Sequence, residues 1–211
     1  MTPPTLEIVR HRVAIAGRIA DALSGRLLAG ARVEITGAPA AFLNLVALRA
    51  IAAGTAGSLW AAMAERPDRT RTARDGHFHF LDLPAGAYTL TASLPDAGSR
   101  YGTATLPLTL VADSLGNVVR AQADMTLPPT AVKGKVSGPA SAAVPMAELA
   151  VGGSGERTWT DAQGGYLLSA IEAGSRVVLA TARGFNTNSQ PVTLAQAGAV
   201  VTLDWTLTPS P

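Results

Sequence analysis

The sequence contains no cysteine. Disulfide staples, thiol catalysis and thiolate metal sites are therefore excluded, and neither a reducing nor an oxidising compartment is indicated. Aromatic residues are scarce, at 5% of the chain, although 47% of it is apolar. Any core must be built mostly of Val, Leu, Ile and Ala. A dominant charge is also missing, since 17 basic and 15 acidic residues leave a net charge of +2. That balance excludes a basic tail, and nucleic acid is not an expected partner. Five arginines at Arg66, Arg69, Arg71, Arg74 and Arg100 mark one local positive patch. No run of about 18 apolar residues is free of charge, so no transmembrane span is expected. The amino terminus, Met1 to Glu7, shows no basic leader followed by an apolar run. The expectation is cytoplasmic synthesis without a recognisable signal peptide, followed by incorporation into a particle. Non-classical export, or a leader preceding this sequence, would instead make the protein extracellular.

Glycine and proline are plentiful, at 21 and 14 residues. They recur between alternating runs, as turn residues do. The clearest case is Asp75 to Tyr88. Asp75-Gly76 turns the chain, and alternation then sends Phe78 and Phe80 to one face and His77 and His79 to the other. Pro84-Ala85-Gly86 turns it again into a second alternating strand. Earlier, Val13, Ile15, Gly17 and Ile19 share a face, and Ala31, Val33 and Ile35 form the inward side of a short strand. Two further strands are expected at about Tyr101–Leu110 and Val118–Leu127, joined by a turn at Asp113–Asn117. Near the end, Val201, Leu203, Trp205 and Leu207 alternate, which places Trp205 in a core.

One segment breaks this pattern. From Pro39 to Pro67 the chain is rich in Ala and Leu, which favours helix. Phe42, Leu45 and Val46 fall on neighbouring helical positions, as do Leu48 and Ile51. Gly54 to Gly57 should split the segment into two short helices, with Leu59, Trp60 and Met63 on the face of the second.

The chain also repeats itself. Ile15 to Ile19 resembles Val132 to Val136, and Ala31 to Gly37 resembles Ala147 to Gly153. Gly76, Phe78 and Gly86 return as Gly164, Tyr166 and Gly174. The offset is 116 residues at the second strand and 88 at the later hairpin, so the first copy carries 28 residues that the second lacks. The helical segment is thus an insertion. The expected organisation is an arm at 1–10, a first β-domain at 11–128 with the insertion at about 38–67, and a second β-domain at 129–211. Pro128-Pro129 marks the boundary. The expected fold class is all-β: two tandem antiparallel sandwiches, the first with a helical insertion.

Gly17-Arg18-Ile19, Leu28 to Val33, Thr72 to Phe78 and Leu83 to Tyr88 together resemble the carboxypeptidase regulatory-like domain, a transthyretin-like sandwich similar to Cna-B modules. The second copy keeps Gly134, Thr160, Gly164, Tyr166 and Ala173-Gly174. It departs at Gln163, which stands where Asp75 does, and at Arg176, which stands where Tyr88 does. The resemblance implies a scaffold or adhesion module and no enzyme. The internal Lys–Asn isopeptide bonds of Cna-B sandwiches are excluded from the first domain, which has no lysine. Lys133 and Lys135 in the second have no convincing asparagine partner.

Candidate sites are few. His77 and His79 could chelate a metal from one strand face, but zinc normally takes three or four protein ligands. Two solvent-facing histidines are the simpler reading. No cofactor motif is present, and Asp161, Asp204 and Glu148 show no pairing for acid–base work. The insertion carries the expected surface for a protein partner or for self-association: Phe42, Leu45, Leu48, Leu59, Trp60 and Met63. Its alternative role is a lid over its own sandwich. The function expected is a non-enzymatic structural or interaction module. An adaptor or decoration in a larger bacterial assembly, such as a phage-tail-like or contractile injection particle, would be one setting. The alternatives are an enzyme accessory domain, and a carbohydrate-binding or adhesion module that uses Trp159.

Overall fold

The computed structural model describes residues 11–52, 57–63 and 65–211, with the backbone alone at 57–59. The arm expected at 1–10 lies outside the described residues. The fold is all-β with a small helical part, as the alternation requires. Its backbone divides into two compact units. One holds Met1–Ala20, Leu27–Ala92 and Thr105–Met125, and the other holds Asp21–Arg26, Ser93–Ala104 and Thr126–Pro211.

The first sandwich is built from β1 (Val13–Asp21), β2 (Arg32–Gly37), α1 (Ala40–Ala52), α2 (Gly57–Ala62), β3 (Arg69–Arg71), β4 (His77–Leu81), β5 (Gly86–Ser93), β6 (Ala104–Leu110), β7 (Ala121–Gln122) and β8 (Met125–Leu127). One sheet runs β3-β2-β5-β6. The other runs β4-β1-β7, with β8 also on β1. Ile15, Ile19, Ala31, Val33, Phe78, Phe80, Tyr88 and Leu90 are buried. Alternation thus sends one side of each strand inward. Val13 does not join them. A register break between Val13 and Ile15 on β4 shifts it, and it stays 39% exposed.

The second sandwich repeats the plan with β9 (Ala131–Ser137), β10 (Glu148–Val151), β11 (Arg157–Trp159), β12 (Gly165–Ser169), β13 (Gly174–Thr181), β14 (Asn188–Leu194), β15 (Val200–Thr202) and β16 (Trp205–Thr206). Its sheets run β11-β10-β13-β14 and β12-β9-β15, with β16 also on β9. Val132, Leu149, Leu168, Val178, Leu194 and Trp205 form its core. Burial of Trp205 requires a partner for its N–H. Nε1 donates to Tyr166 Oη (3.1 Å), and that hydroxyl donates to the Leu203 carbonyl (2.6 Å). Burial pushes the Tyr166 phenol up to about 12.

Three devices recur in both sandwiches. Thr72 and Thr160 are buried, and each hydroxyl closes a loop: it accepts the N–H of Ala31 or Ala147 and donates to the carbonyl of Leu28 or Val144. Gly17 and Gly134 each lie under a carbonyl. A Cβ there would meet the Ala123 oxygen at 2.2 Å or the Leu203 oxygen at 2.1 Å. Asp124 and Asp204 then put a side chain where a strand carbonyl would stand. Their Oδ1 atoms accept the N–H groups of Arg18 (3.1 Å) and Lys135 (2.8 Å). This substitution splits the expected Val118–Leu127 strand into β7 and β8. The expected Tyr101–Leu110 strand begins only at Ala104, because Tyr101 makes an isolated bridge to Pro129.

The expected positive patch is largely neutralised. Arg66 forms a paired contact with Asp68 (3.0 and 2.9 Å), and Arg69 is buried beside Glu34 (3.3 Å). Arg100 pairs with Glu156 and with Glu172 (3.1 Å). Three of the five arginines that cluster in the sequence, Arg66, Arg69 and Arg100, are thus spent on separate ion pairs.

Candidate functional site

The insertion leaves β2 and returns at β3. Pro39 starts it, and its carbonyl accepts the N–H groups of Phe42 and Leu43. Gly86 makes this approach possible, because a Cβ on it would meet Pro39 Cγ at 2.4 Å, and its φ is +143°. Phe42 then packs its ring edge-on against Tyr88, with centroids 6.0 Å apart. At the other end, Arg69 donates to the carbonyls of Ala61 (2.6 Å) and Met63, and Arg66 donates to the Trp60 carbonyl (3.3 Å). Both guanidiniums thereby serve the carboxyl end of α2, where helix carbonyls lack intrahelical donors. Arg66 also lies over the Trp60 ring, 5.2 Å from its centroid.

Only Phe42 of α1 is buried. Leu43, Leu45, Leu48 and Ile51 are 49%, 42%, 65% and 75% exposed, and Met63 beyond α2 is 45% exposed. The expected surface thus divides. Phe42 is the anchor of the insertion and faces its own sandwich. Leu45, Trp60 and Met63 line a groove of about 730 Å³ between the insertion and β4. Leu48 stands outside that groove, on the open face of α1. The Leu59 side chain lies outside the described residues. Among the described residues, no helix is long and apolar enough to cross a membrane.

His79 lines the groove, with His11 and Asp82 at the same site. His11 Nδ1 bonds to Asp82, and the Arg12 N–H donates to the same carboxylate (2.8 Å). Together they hold Asp82 below the usual carboxylate range, the His11 contact contributing most. His77 is absent from this lining, and its backbone and ring turn back to Asp75. The backbone N–H of His77 is the main cause of the lowered pKa of Asp75. The two exposed histidines therefore engage different surroundings. Among the described residues, no group of three potential ligands surrounds a metal position.

Trp159 is 51% exposed. It borders a concavity of about 680 Å³ in the second unit, together with Lys133, Lys135, Leu167, Asp161 and Asp204. Thr158 and Leu167 here are the repeat counterparts of Thr70 and His79 in the first groove. Each sandwich thus has a hollow at the same seam, between the short third strand and its neighbour. The insertion walls the first hollow, and the second has no such wall.

No local pattern in the chain signals the network around Arg100. Glu172 accepts the Ser99 N–H (3.0 Å), the Ser99 hydroxyl (2.5 Å) and Arg100 Nε. These contacts hold the Glu172 pKa down, with the Ser99 hydroxyl the largest contributor. Arg176 is a second surprise. It stands where Tyr88 does and performs the same task by another route. The Tyr88 hydroxyl donates to the Pro84 carbonyl (2.8 Å), and Arg176 Nε donates to the matching Glu172 carbonyl (3.1 Å).

Residues 131–208 match the family model of the carboxypeptidase regulatory-like domain. This is the sandwich whose Gly134, Thr160, Gly164 and Tyr166 carry the resemblance. No curated protein matches the sequence. Among solved structures, the shaft pilin SpaA from Lactobacillus rhamnosus GG aligns with a TM-score of 0.41 at 14% identity, over 96% of this chain and 98% of that one. The Bacillus anthracis TIE protein aligns with a TM-score of 0.39 at 13% identity, over 93% of this chain. The chain spans only 34% of the length of that protein. A streptococcal ancillary pilin aligns with a TM-score of 0.33 at 13% identity, over 95% of this chain and 63% of that one. With scores and identities this low, the likenesses bear on neither function nor partner.

Proposed function

We propose that the chain is a non-enzymatic interaction module that docks another protein chain through the helical insertion. The observation that carries this reading is the exposure of Leu43, Leu45, Leu48 and Ile51 on a helix that buries only Phe42. A helix serving as a lid would turn its leucines toward its own sandwich. Here the anchoring is done by Phe42, Pro39 and Arg69, and most of the aliphatic surface is left in water. Exposed aliphatic side chains gathered on one short helix mark an interaction surface. The helix carries a single charge, Arg49, and that residue lines the groove. A nearly neutral face suffers little like-charge repulsion against a copy of itself, so a second copy is the first partner to test. We place the module as an adaptor or decoration in a larger bacterial assembly, of which a phage-tail-like or contractile injection particle is one form. Two small sandwiches and one unpartnered helix support the adaptor role.

Light scattering after size-exclusion chromatography tests the reading. The wild type should run above the monomer mass at micromolar concentration, and Leu48→Glu with Ile51→Glu should restore the monomer. Both side chains are exposed, so neither change should lower the thermal midpoint. A wild type that stays monomeric at about millimolar concentration, where only contacts weaker than about 4 kcal/mol escape detection, would overturn self-association.

A further inference from the structure

We propose that the concavity beside Trp159 binds a carboxylate-bearing oligosaccharide. This site uses none of the insertion, and the proposal stands independently of the docking reading above. Trp159 lies on a three-residue strand and leaves half its surface in water. Lys133 and Lys135 project from the outer face of β9, two residues apart and so about 7 Å from each other along the strand. Among the described residues, neither ammonium has an ion-pair or hydrogen-bond partner.

The fold does not require these side chains. The repeat keeps Gly134, Thr160 and Asp204 as Gly17, Thr72 and Asp124, each with the same contacts. The counterparts of Trp159 and Lys133 are Arg71 and Ala16. The indole and the first ammonium are therefore additions to a conserved frame of internal contacts. Nor do the lysines sit where a core isopeptide bond would form, since both are exposed.

The chemistry of the shelf selects the ligand. A half-exposed indole offers a flat apolar face, which suits the C–H face of a pyranose ring. The two ammoniums donate to a carboxylate. Asp161 uses Oδ1 for the N–H groups of Gln163 (2.9 Å) and Gly165 (2.8 Å), and Asp204 uses Oδ1 for the backbone N–H of Lys135. The other oxygen of each remains to accept a hydroxyl. A ligand that stacks, donates from hydroxyls and carries a carboxylate satisfies all three groups. A polyphosphate or an acidic peptide would face both aspartates with no hydroxyls to offer them. A uronate-containing oligosaccharide meets the whole set.

Isothermal titration of the full chain with a galacturonate hexamer and with a neutral glucose hexamer tests this. The acidic hexamer should bind with a dissociation constant below about 1 mM. It should bind roughly tenfold more tightly than the neutral one, and about 0.5 M salt should narrow that gap. Trp159→Ala should weaken binding at least about tenfold, as loss of a stacking platform does. Lys133→Gln with Lys135→Gln should bring the acidic hexamer to the level of the neutral one. An unchanged urea midpoint would show that these exposed substitutions leave the fold intact. No heat at millimolar acidic hexamer, equal binding of both hexamers, or full binding by Trp159→Ala would each overturn the proposal.

Discussion

Replacing Gly134 with alanine should destabilise the second sandwich by about 3 kcal/mol. The new Cβ would meet the Leu203 carbonyl oxygen at 2.1 Å and its carbon at 2.8 Å. The oxygen must retreat by about 1 Å, and overpacking of this kind costs about 1–3 kcal/mol. That oxygen also accepts the Tyr166 hydroxyl, which in turn accepts the N–H of the fully buried Trp205. Pulling it away leaves a buried hydroxyl without its acceptor, at a further cost of about 1–3 kcal/mol. Urea unfolding followed by tryptophan emission reads the effect, because Trp205 passes from core to water. With a slope near 1 kcal/mol per molar, the midpoint should fall by about 2–3 M. Gly155→Ala is the control, since a Cβ there meets nothing within 4 Å. A Gly134→Ala midpoint within about 0.5 M of wild type would refute the claim that this carbonyl fixes the residue as glycine.

Three further outcomes follow from the same geometry. Phe42→Ala removes the only buried side chain of α1; it should cost up to about 3 kcal/mol and speed proteolysis between Ala40 and Ala62 well before global unfolding. Gly86→Ala and Gly174→Ala both place alanine at positive φ, but only the first drives a Cβ into Pro39, so amide exchange in α1 should accelerate in the first variant alone. Glu156 and Glu172 are held below their ordinary value of 4.5, chiefly by the hydroxyls of Ser154 and Ser99 and then by Arg100. Their stabilisation is complete above pH 4.5 and is lost as the pH falls through the lowered folded values. The urea midpoint should therefore drop between about pH 5 and pH 3 by about 1 kcal/mol equivalent, allowing for solvent screening, and Arg100→Gln should flatten that drop.

The parts of the fold that follow a period of two were legible in the sequence. Phe78 and Phe80 are buried and His77 and His79 exposed, as alternation demands. The repeat offset exposed the insertion by arithmetic, and it holds two helices, α1 ending at Ala52 and α2 starting at Gly57, the last residue of the expected glycine break, whose other residues lie outside the described ones. What escaped depends on side chains that replace backbone. Nothing local to Ala123-Asp124 or Leu203-Asp204 signals that a carboxylate will take the place of a strand carbonyl. Val13 fits the inward pattern and loses it to a register break that only pairing with β4 reveals. Arg69 reads as one member of a positive cluster, yet it is buried with carbonyl and carboxylate partners. Composition identified α1 as broadly apolar. It could not say that Phe42 alone would turn inward, because an apolar stripe this wide leaves the helix rotation undetermined.

The two sandwiches act as controls for each other. A residue retained in both, with the same contacts, answers to the fold: Thr72 and Thr160, Gly17 and Gly134, Asp124 and Asp204. A residue that differs while the backbone around it stays the same is open to another demand. Arg176 shows that such a difference can still be structural, because it satisfies the same turn carbonyl as Tyr88. Lys133 and Trp159 satisfy nothing comparable within their own sandwich, and neither do the exposed leucines of α1. Trp159, Lys133 and, of the exposed aliphatic residues of α1, Leu45 border hollows at one place in the repeat, the seam marked by Thr70 and His79 in one unit and by Thr158 and Leu167 in the other. At that seam a three-residue strand leaves a hollow that the core does not fill. In the first unit the hollow is walled by apolar helix, and in the second it is edged by an indole and two cations. The two hollows differ in chemistry, so a single ligand would not suit both.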